Sequence, residues 1–270
     1  MYPKLIEIGS FYLPTYGVLV ALGFLSGLAV TVKLARRAGL NAELMTNLAV
    51  YVALAGMLGA KVFMFLFDWK QYAANPAQIF SLETLQAAGV FQGGLILALI
   101  TAYYYMKKQG LPILGASDAF APGVALGHAI GRLGCFAAGC CWGTETSLPW
   151  AIKFHNPVAN SLTGVPLEVA IHPAQLYESF TEVLVFAFLY RRFNKPHAPG
   201  RIIGLYLVIS SIMRFLIEFV RFHQQATPFG LPLSLTQWIA LALLLAGVVL
   251  LVKTGRNKPV AQSAPLLKQA

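Results

Sequence analysis

With 270 residues, 57% of them hydrophobic and only 11% charged, and a mean hydropathy of +0.66, the chain is far from a soluble domain, where about a quarter of residues carry charge. It reads as a polytopic membrane protein, and at roughly 20 apolar residues per span plus connections its length suits about six to eight helices. The formal net charge of +10 does not indicate nucleic-acid binding, because the basic residues fall in twos and threes between apolar runs rather than on one polar face.

Taken in chain order, the opening "MYPKLIEIGSFYLPTYGVLV" lacks the basic n-region and small-residue cleavage site of a signal peptide, so its apolar run is expected to stay. Apolar runs over 14–35, 44–67, 88–106, 114–138, 173–190, 202–222 and 233–252 predict seven spans. The apolar run of the fourth is interrupted by glycines and Arg132. Small residues in "GLAV", "AGMLGAK" and "PGVALGHAIG" allow membrane helices to approach closely. The expected fold is an all-α bundle of about seven transmembrane helices, a single domain over 1–252, with a basic, polar and disordered tail over 253–270.

Orientation follows from the positive-inside rule. Lys33, Arg36 and Arg37 follow the first span; Lys107 and Lys108 follow the third; Arg191, Arg192, Lys195 and Arg201 join the fifth and sixth; Lys253, Arg256, Lys258 and Lys268 follow the seventh. Those are 13 of the 20 basic residues. The longer loops on the other side, 68–87 and 139–172, hold only Lys70 and Lys153, with Lys4 at the start of the chain. The N-terminus is therefore expected outside and the C-terminus in the cytoplasm.

Lys61, Arg132, Arg214 and Arg221 remain, all inside or at the edge of spans and toward their outer ends. A cation at the bilayer centre costs on the order of 3 kcal/mol, less near an interface, so snorkelling arginines are one explanation. Glu218 lies four residues after Arg214 and three before Arg221 and pairs with them on one helix face, but one carboxylate does not neutralise four cations. The remainder is expected to form an anion site in the outer half of the membrane, because guanidinium groups hold phosphate oxygens bidentately. No cofactor is expected. Three cysteines, two of them adjacent, lack the paired spacing of a zinc site, so no metal is expected either.

The blocks "IEIGSFYLPTYGVLVALGF", "FQGGLI", "GRLGCFAAGCCWG", "HPAQLYES" and "RFLIEFVR", in that order, resemble the phosphatidylglycerol–prolipoprotein diacylglyceryl transferases, of which this chain looks like a divergent member. The third block is similar to the family signature Gly-Arg-x-Gly-Asn-Phe-x-Asn-Gly-Glu-x-x-Gly at Gly131, Arg132, Gly134, Phe136, Gly139 and Gly143. The resemblance implies a multi-pass enzyme of the bacterial cytoplasmic (inner) membrane. Its reaction moves diacylglycerol from phosphatidylglycerol, a membrane lipid, to the lipobox cysteine of a prolipoprotein signal peptide, leaving a thioether and releasing glycerol phosphate. It implies that Arg132 and Arg214 hold the phosphate, whose charge grows as the carbon–oxygen bond breaks. It also implies that Tyr16, Gly93, Gly94, Glu218, Arg221, His172, Gln175 and Tyr177 bind substrate.

Two departures stand out. The family pattern has His-Gly-Gly in the third span, with the histidine proposed as base, whereas this chain has Gln92, which accepts no proton at neutral pH and is left to orient substrate. His128, one helical turn before Arg132, is the candidate replacement base for the acceptor thiol; a plain interhelical hydrogen-bonding role is the alternative. Where the signature has two asparagines and a glutamate, this chain has Cys135, Ala138 and Cys140, so the polar groups that order the following loop are expected to be missing. Cys135, Cys140 and Cys141 are open to a disulfide at the outer face or to service as small hydrophobes. Two rival functions remain: a paralogue acting on another lipid or acceptor, and an anion or lipid transporter with arginines lining its path. No inverted repeat supports the transporter.

Overall fold

A computed structural model of the chain describes residues 2–9, 11–81, 84, 89–222 and 232–255. In order these form β1 (Lys4–Ile8), β2 (Phe11–Pro14), α1 (Thr15–Arg37), α2 (Ala42–Phe67), α3 (Trp69–Ala74), α4 (Phe91–Lys108), α5 (Ile113–Ala138), α6 (Pro157–Thr163), α7 (Ala174–Phe193), α8 (Arg201–Ile217) and α9 (Leu235–Gly255). Each of the seven expected spans coincides with one long helix. Among the described residues, five helices are long and apolar enough to cross a membrane: Thr15–Arg37, Ala42–Phe67, Ile113–Ala138, Arg201–Val220 and Leu235–Gly255. Exposed Leu54, Met57, Leu58, Leu99, Leu245 and Val252 are among the large apolar side chains on their surfaces, and no soluble monomer leaves so much apolar surface in water. The protein is a multi-pass membrane protein. The tail expected over 253–270 lies outside the described residues after Gly255.

The contacts divide the chain into two units, Leu40–Ala116 and the remainder, Met1–Gly39 with Ser117–Ala270. In the smaller unit Asn41 caps α2, its Oδ1 accepting from the Glu43 and Leu44 amides at 2.9 and 3.1 Å. Gly93 and Gly94 on α4 are buried against α2: a side chain at Gly94 would come within 2.8 Å of the Gly56 carbonyl oxygen. Lys61 donates its Nζ to the Thr84 carbonyl at 2.5 Å.

The larger unit opens on a hairpin that hydropathy did not announce. β1 and β2 pair antiparallel, with Ile8 opposite Phe11 and Gly9 at φ +61° in the turn. α1 then crosses α5 glycine to glycine, since a Cβ at Gly23 would lie 2.8 Å from the Gly127 carbonyl oxygen and one at Gly27 2.5 Å from that of Gly123. The glycines and Arg132 that interrupt the fourth apolar run leave its helix whole. α5 runs unbroken through Pro122, Gly123, Gly127, Gly131, Arg132 and Gly134. In lipid every freed backbone group costs several kcal/mol, so the glycines serve close packing rather than a break. Gly27→Leu should therefore force α1 off α5 and lower the thermal midpoint in detergent by roughly 5 °C or more, whereas Gly255→Leu, with open space around it at the end of α9, should remain well folded.

At the opposite end of α5 from Arg132, Asp118 is 1% exposed and caps α8. Its carboxylate accepts from the Gly200 and Ile203 amides at 2.7 and 2.8 Å. α5 is tied to α7 by Ser179 Oγ, which donates to the Ala129 carbonyl at 2.9 Å. These ties bring the C-terminal ends of α5 and α8 beside the N-terminal turns of α7.

Candidate active site

Three helix ends place the charges. Arg132 lies in the last two turns of α5, with His128 one turn before it. Glu178 is in the second turn of α7, with Glu182 one turn on; Arg214 is in the last turn of α8. A 3₁₀ turn, Glu218–Val220, follows α8 and leads to Arg221. Spacings of four residues set Arg132 with His128, Glu178 with Glu182, and Arg214 with Glu218 on common helix faces.

One carboxylate oxygen joins two of the arginines. Glu178 Oε1 is 2.9 Å from Arg132 Nη2 and 3.3 Å from Arg214 Nη1. Glu218 Oε2 sits 2.8 Å from Arg214 Nη2 and 3.9 Å from Arg221 Nη1, while Ser234 Oγ donates to its Oε1 at 2.8 Å. The carboxylate side chains at 178 and 218 are 5% and 1% exposed, whereas those of Arg132, Arg214 and Arg221 are 16%, 19% and 18% exposed. The acids are thus buried more deeply than the arginines, and Arg132 engages His128 with Nε, Cys135 with Nη1 and Glu178 with Nη2.

His128 stands a turn deeper. Arg132 Nε donates to His128 Nε2 at 3.2 Å, and His128 Nδ1 faces Glu182 Oε1 at 3.4 Å. An imidazole that accepts at Nε2 carries its proton on Nδ1, so Glu182 is placed to receive that proton's hydrogen bond.

The balance of charge differs from the sequence expectation. Glu178 joins Glu218, so Arg132, Arg214 and Arg221 face two buried carboxylates rather than one, while the buried Glu182 faces His128. Lys61 belongs to the other unit. The buried acids were legible only as two glutamates four apart in an apolar helix, where an ionisable residue is by default a functional candidate.

The remaining residues expected around substrate fall into three groups. Tyr16 opens α1 and packs over the end of α5, where a side chain at Gly134 would come within 3.2 Å of its ring. His172, Gln175 and Tyr177 hold the long loop between α5 and α7: Tyr177 Oη accepts from Trp150 Nε1 at 2.8 Å and lies 3.2 Å from His172 Nδ1, and the buried Gln175 donates to the Cys140 carbonyl at 2.7 Å. The loop is ordered despite its lost asparagines and glutamate, because Gln175 and Thr163, which donates to the Gly139 carbonyl at 2.9 Å, supply the polar contacts. A small core of Trp142, Phe154, Ala159, Val165 and Ile171 fills it. Gln92, exposed in the first turn of α4, and its neighbours Gly93 and Gly94 lie in the other unit.

The three cysteines are free thiols. Arg132 Nη1 lies 3.8 Å from Cys135 Sγ, so a cation stands beside the thiols.

A family model described as prolipoprotein diacylglyceryl transferase matches residues 3–253. The chain belongs to the prolipoprotein diacylglyceryl transferase family. Among similar proteins, the phosphatidylglycerol–prolipoprotein diacylglyceryl transferase of Clostridium tetani is 32% identical over 249 residues, covering 92% of this chain and 96% of that protein. The protein of the same name from Finegoldia magna is 34% identical over 239 residues, covering 88% and 90%. That from Trichormus variabilis is 31% identical over 272 residues, covering 97% and 94%. As a member of this transferase family, the chain is matched from the hairpin to the last helix, so the Arg132–Glu178–Arg214 cluster lies wholly within the matched length.

Proposed function

We propose that the protein transfers the diacylglyceryl group of phosphatidylglycerol to the lipobox cysteine thiol of a prolipoprotein, forming a thioether and releasing glycerol phosphate. The observation that carries this reading is the convergence of Arg132 and Arg214 on one anionic oxygen, that of Glu178; a second anion would draw the same two guanidinium groups toward it. The phosphate of the lipid head group is that anion. As sulfur attacks the glyceryl carbon, the carbon–oxygen bond breaks and its electron pair leaves on the phosphate ester, where preorganised guanidinium groups stabilise the growing charge.

The acceptor cysteine reacts as its thiolate, so its proton needs a base. His128 is that base in our reading. Its Nε2 is the proton-accepting nitrogen, Glu182 orients the ring through Nδ1, and a phosphate drawing Arg132 toward it releases Nε2 from the Arg132 hydrogen bond. Tyr16, Glu218 and Arg221 complete the wall around the head group, and His172, Gln175 and Tyr177 position the loop above it. His128→Gln, which keeps a hydrogen-bonding side chain but no basic nitrogen, should cut transfer by roughly 10²-fold at unchanged expression. Full activity in that variant would remove His128 from the base role.

All seven long helices span the bacterial inner membrane in this reading, with the N-terminus outside, so the arginine cluster opens where the signal peptides of exported lipoproteins emerge. The test is complementation of a transferase-depleted bacterium, followed by the gel shift of a model prolipoprotein. Rescue by the wild type and not by Arg214→Ala supports the assignment. A well-expressed wild type that yields no thioether, or one that carries anions into proteoliposomes instead, contradicts it.

A further inference from the structure

The thiols of Cys135, Cys140 and Cys141 meet where α5 ends, their sulfur atoms all within 4.8 Å of one another. Sequence spacing hides this, because no paired motif is present; the backbone creates it. Gly139, at φ +80°, ends the helix in the left-handed conformation, and the Gly139 and Cys140 amides both donate back to the Cys135 carbonyl, at 3.0 and 3.1 Å. The chain thus folds over its own last turn and returns Cys140 and Cys141 to Cys135. Cys141 itself has φ +63°, a conformation that costs a non-glycine residue about 1–2 kcal/mol and is held here by its surroundings. Gln175 fixes the neighbouring Cys140 carbonyl.

We propose that Cys135, Cys140 and Cys141 form a three-thiolate site for a soft d¹⁰ cation, Cu(I), which clasps the end of α5 to the loop that follows. Thiolates select Cu(I) and zinc over harder cations. Metal–sulfur bonds of about 2.3 Å place three trigonal sulfur atoms about 4 Å apart, so the cluster needs to close by less than about 1 Å. Structural zinc takes four ligands, and among the described residues no fourth histidine, cysteine or acid joins the group. Three-coordinate Cu(I) is satisfied by the three sulfurs alone.

The surrounding charges fit as well. A Cu(I) trithiolate carries two net negative charges; Arg132 Nη1 lies 3.8 Å from Cys135 Sγ, and the positive charge of Arg221 acts on Cys141. As each copper–sulfur bond forms, any remaining thiol proton passes to solvent; the metal keeps its oxidation state, so no oxidant or reductant is consumed. The site also stands where this chain has lost its family's loop-ordering asparagine and glutamate, and a metal clasp supplies rigidity of the same kind. It rests on no feature of the transfer reaction.

The test is titration of the reduced full-length protein, in detergent, with Cu(I) buffered by a chromogenic bicinchoninate competitor. One copper per chain, three sulfur neighbours by X-ray absorption and protection of three thiols from alkylation by N-ethylmaleimide are expected in the wild type. Cys135→Ser, Cys140→Ser and Cys141→Ser should each weaken binding by more than the roughly tenfold that losing even an outer ligand-supporting group costs. Absence of stoichiometric copper in the wild type, equal binding by the triple serine variant, or preferential binding of zinc with a fourth ligand would each overturn the proposal. Because the wild-type stoichiometry and thiol protection need no variant, misfolding of a serine variant leaves the test decisive.

Discussion

Arg132→Ala is expected to lower diacylglyceryl transfer by about 10²–10³-fold, or about 3–4 kcal/mol of transition-state stabilisation, the loss seen when one preorganised donor to a developing oxyanion is removed. The size follows from position. Arg132 is mostly shielded from solvent and shares the Glu178 oxygen with Arg214, so a phosphate ester held by both would gain charge beside it. Arg132→Lys should recover no more than part of the activity, because an ammonium keeps the charge but loses the fork that meets two phosphate oxygens at once. Initial rates in proteoliposomes containing phosphatidylglycerol, at equal amounts of folded protein, decide the matter. A rate for Arg132→Ala within a few-fold of wild type would show that the phosphate is held elsewhere.

Glu178→Gln should be the most destabilising single conservative change at the site. The side chain is 5% exposed and both nearby guanidinium groups depend on one of its oxygens, so losing its charge leaves them repelling each other with only Glu218 as a counter-charge. Breaking a buried pair of this kind costs about 3–5 kcal/mol. That corresponds to a fall of roughly 6–15 °C in thermal midpoint for a chain of this size class. Glu178→Gln combined with Arg214→Gln should be less damaging than the sum of the two changes, by roughly 1–3 kcal/mol, because each single change strands the other's charge. Thermal unfolding of the purified variants in detergent, with matched single and double changes, reads both quantities. Additive effects would mean that Glu178 and Arg214 are neighbours without being coupled.

Helix placement followed from hydropathy alone to within a few residues, because each long helix had to carry its own apolar surface and its own backbone hydrogen bonds. The hairpin at Lys4–Pro14 escaped that logic: two short strands joined at Gly9 gain their stability from backbone pairing, which leaves no long apolar run. The interruptions of the apolar run in α5 have a related explanation. Gly123, Gly127 and Arg132 look disruptive in isolation, but the glycines meet Gly27 and Gly23 across a helix crossing, and Arg132 is neutralised by Glu178. The site was legible where spacing within one helix decides proximity, as for His128 with Arg132 and Arg214 with Glu218. It was illegible where two elements must meet. No local pattern pairs Glu178 with Arg132, 46 positions away, or brings Cys135 together with Cys140 and Cys141, since those contacts depend on helix ends and on a left-handed turn.

The central claim is that the Arg132–Arg214 cluster holds the phosphate of a lipid while its diacylglyceryl group passes to a thiol. Its most direct test is to count both products with purified protein, phosphatidylglycerol labelled in the head group, and a peptide carrying a single lipobox cysteine. We predict one glycerol phosphate released for each thioether formed, with both products lost together in Arg132→Ala or when the peptide cysteine is replaced by serine. Thioether formed without glycerol phosphate, or equal yields from Arg132→Ala and wild type, would contradict the account.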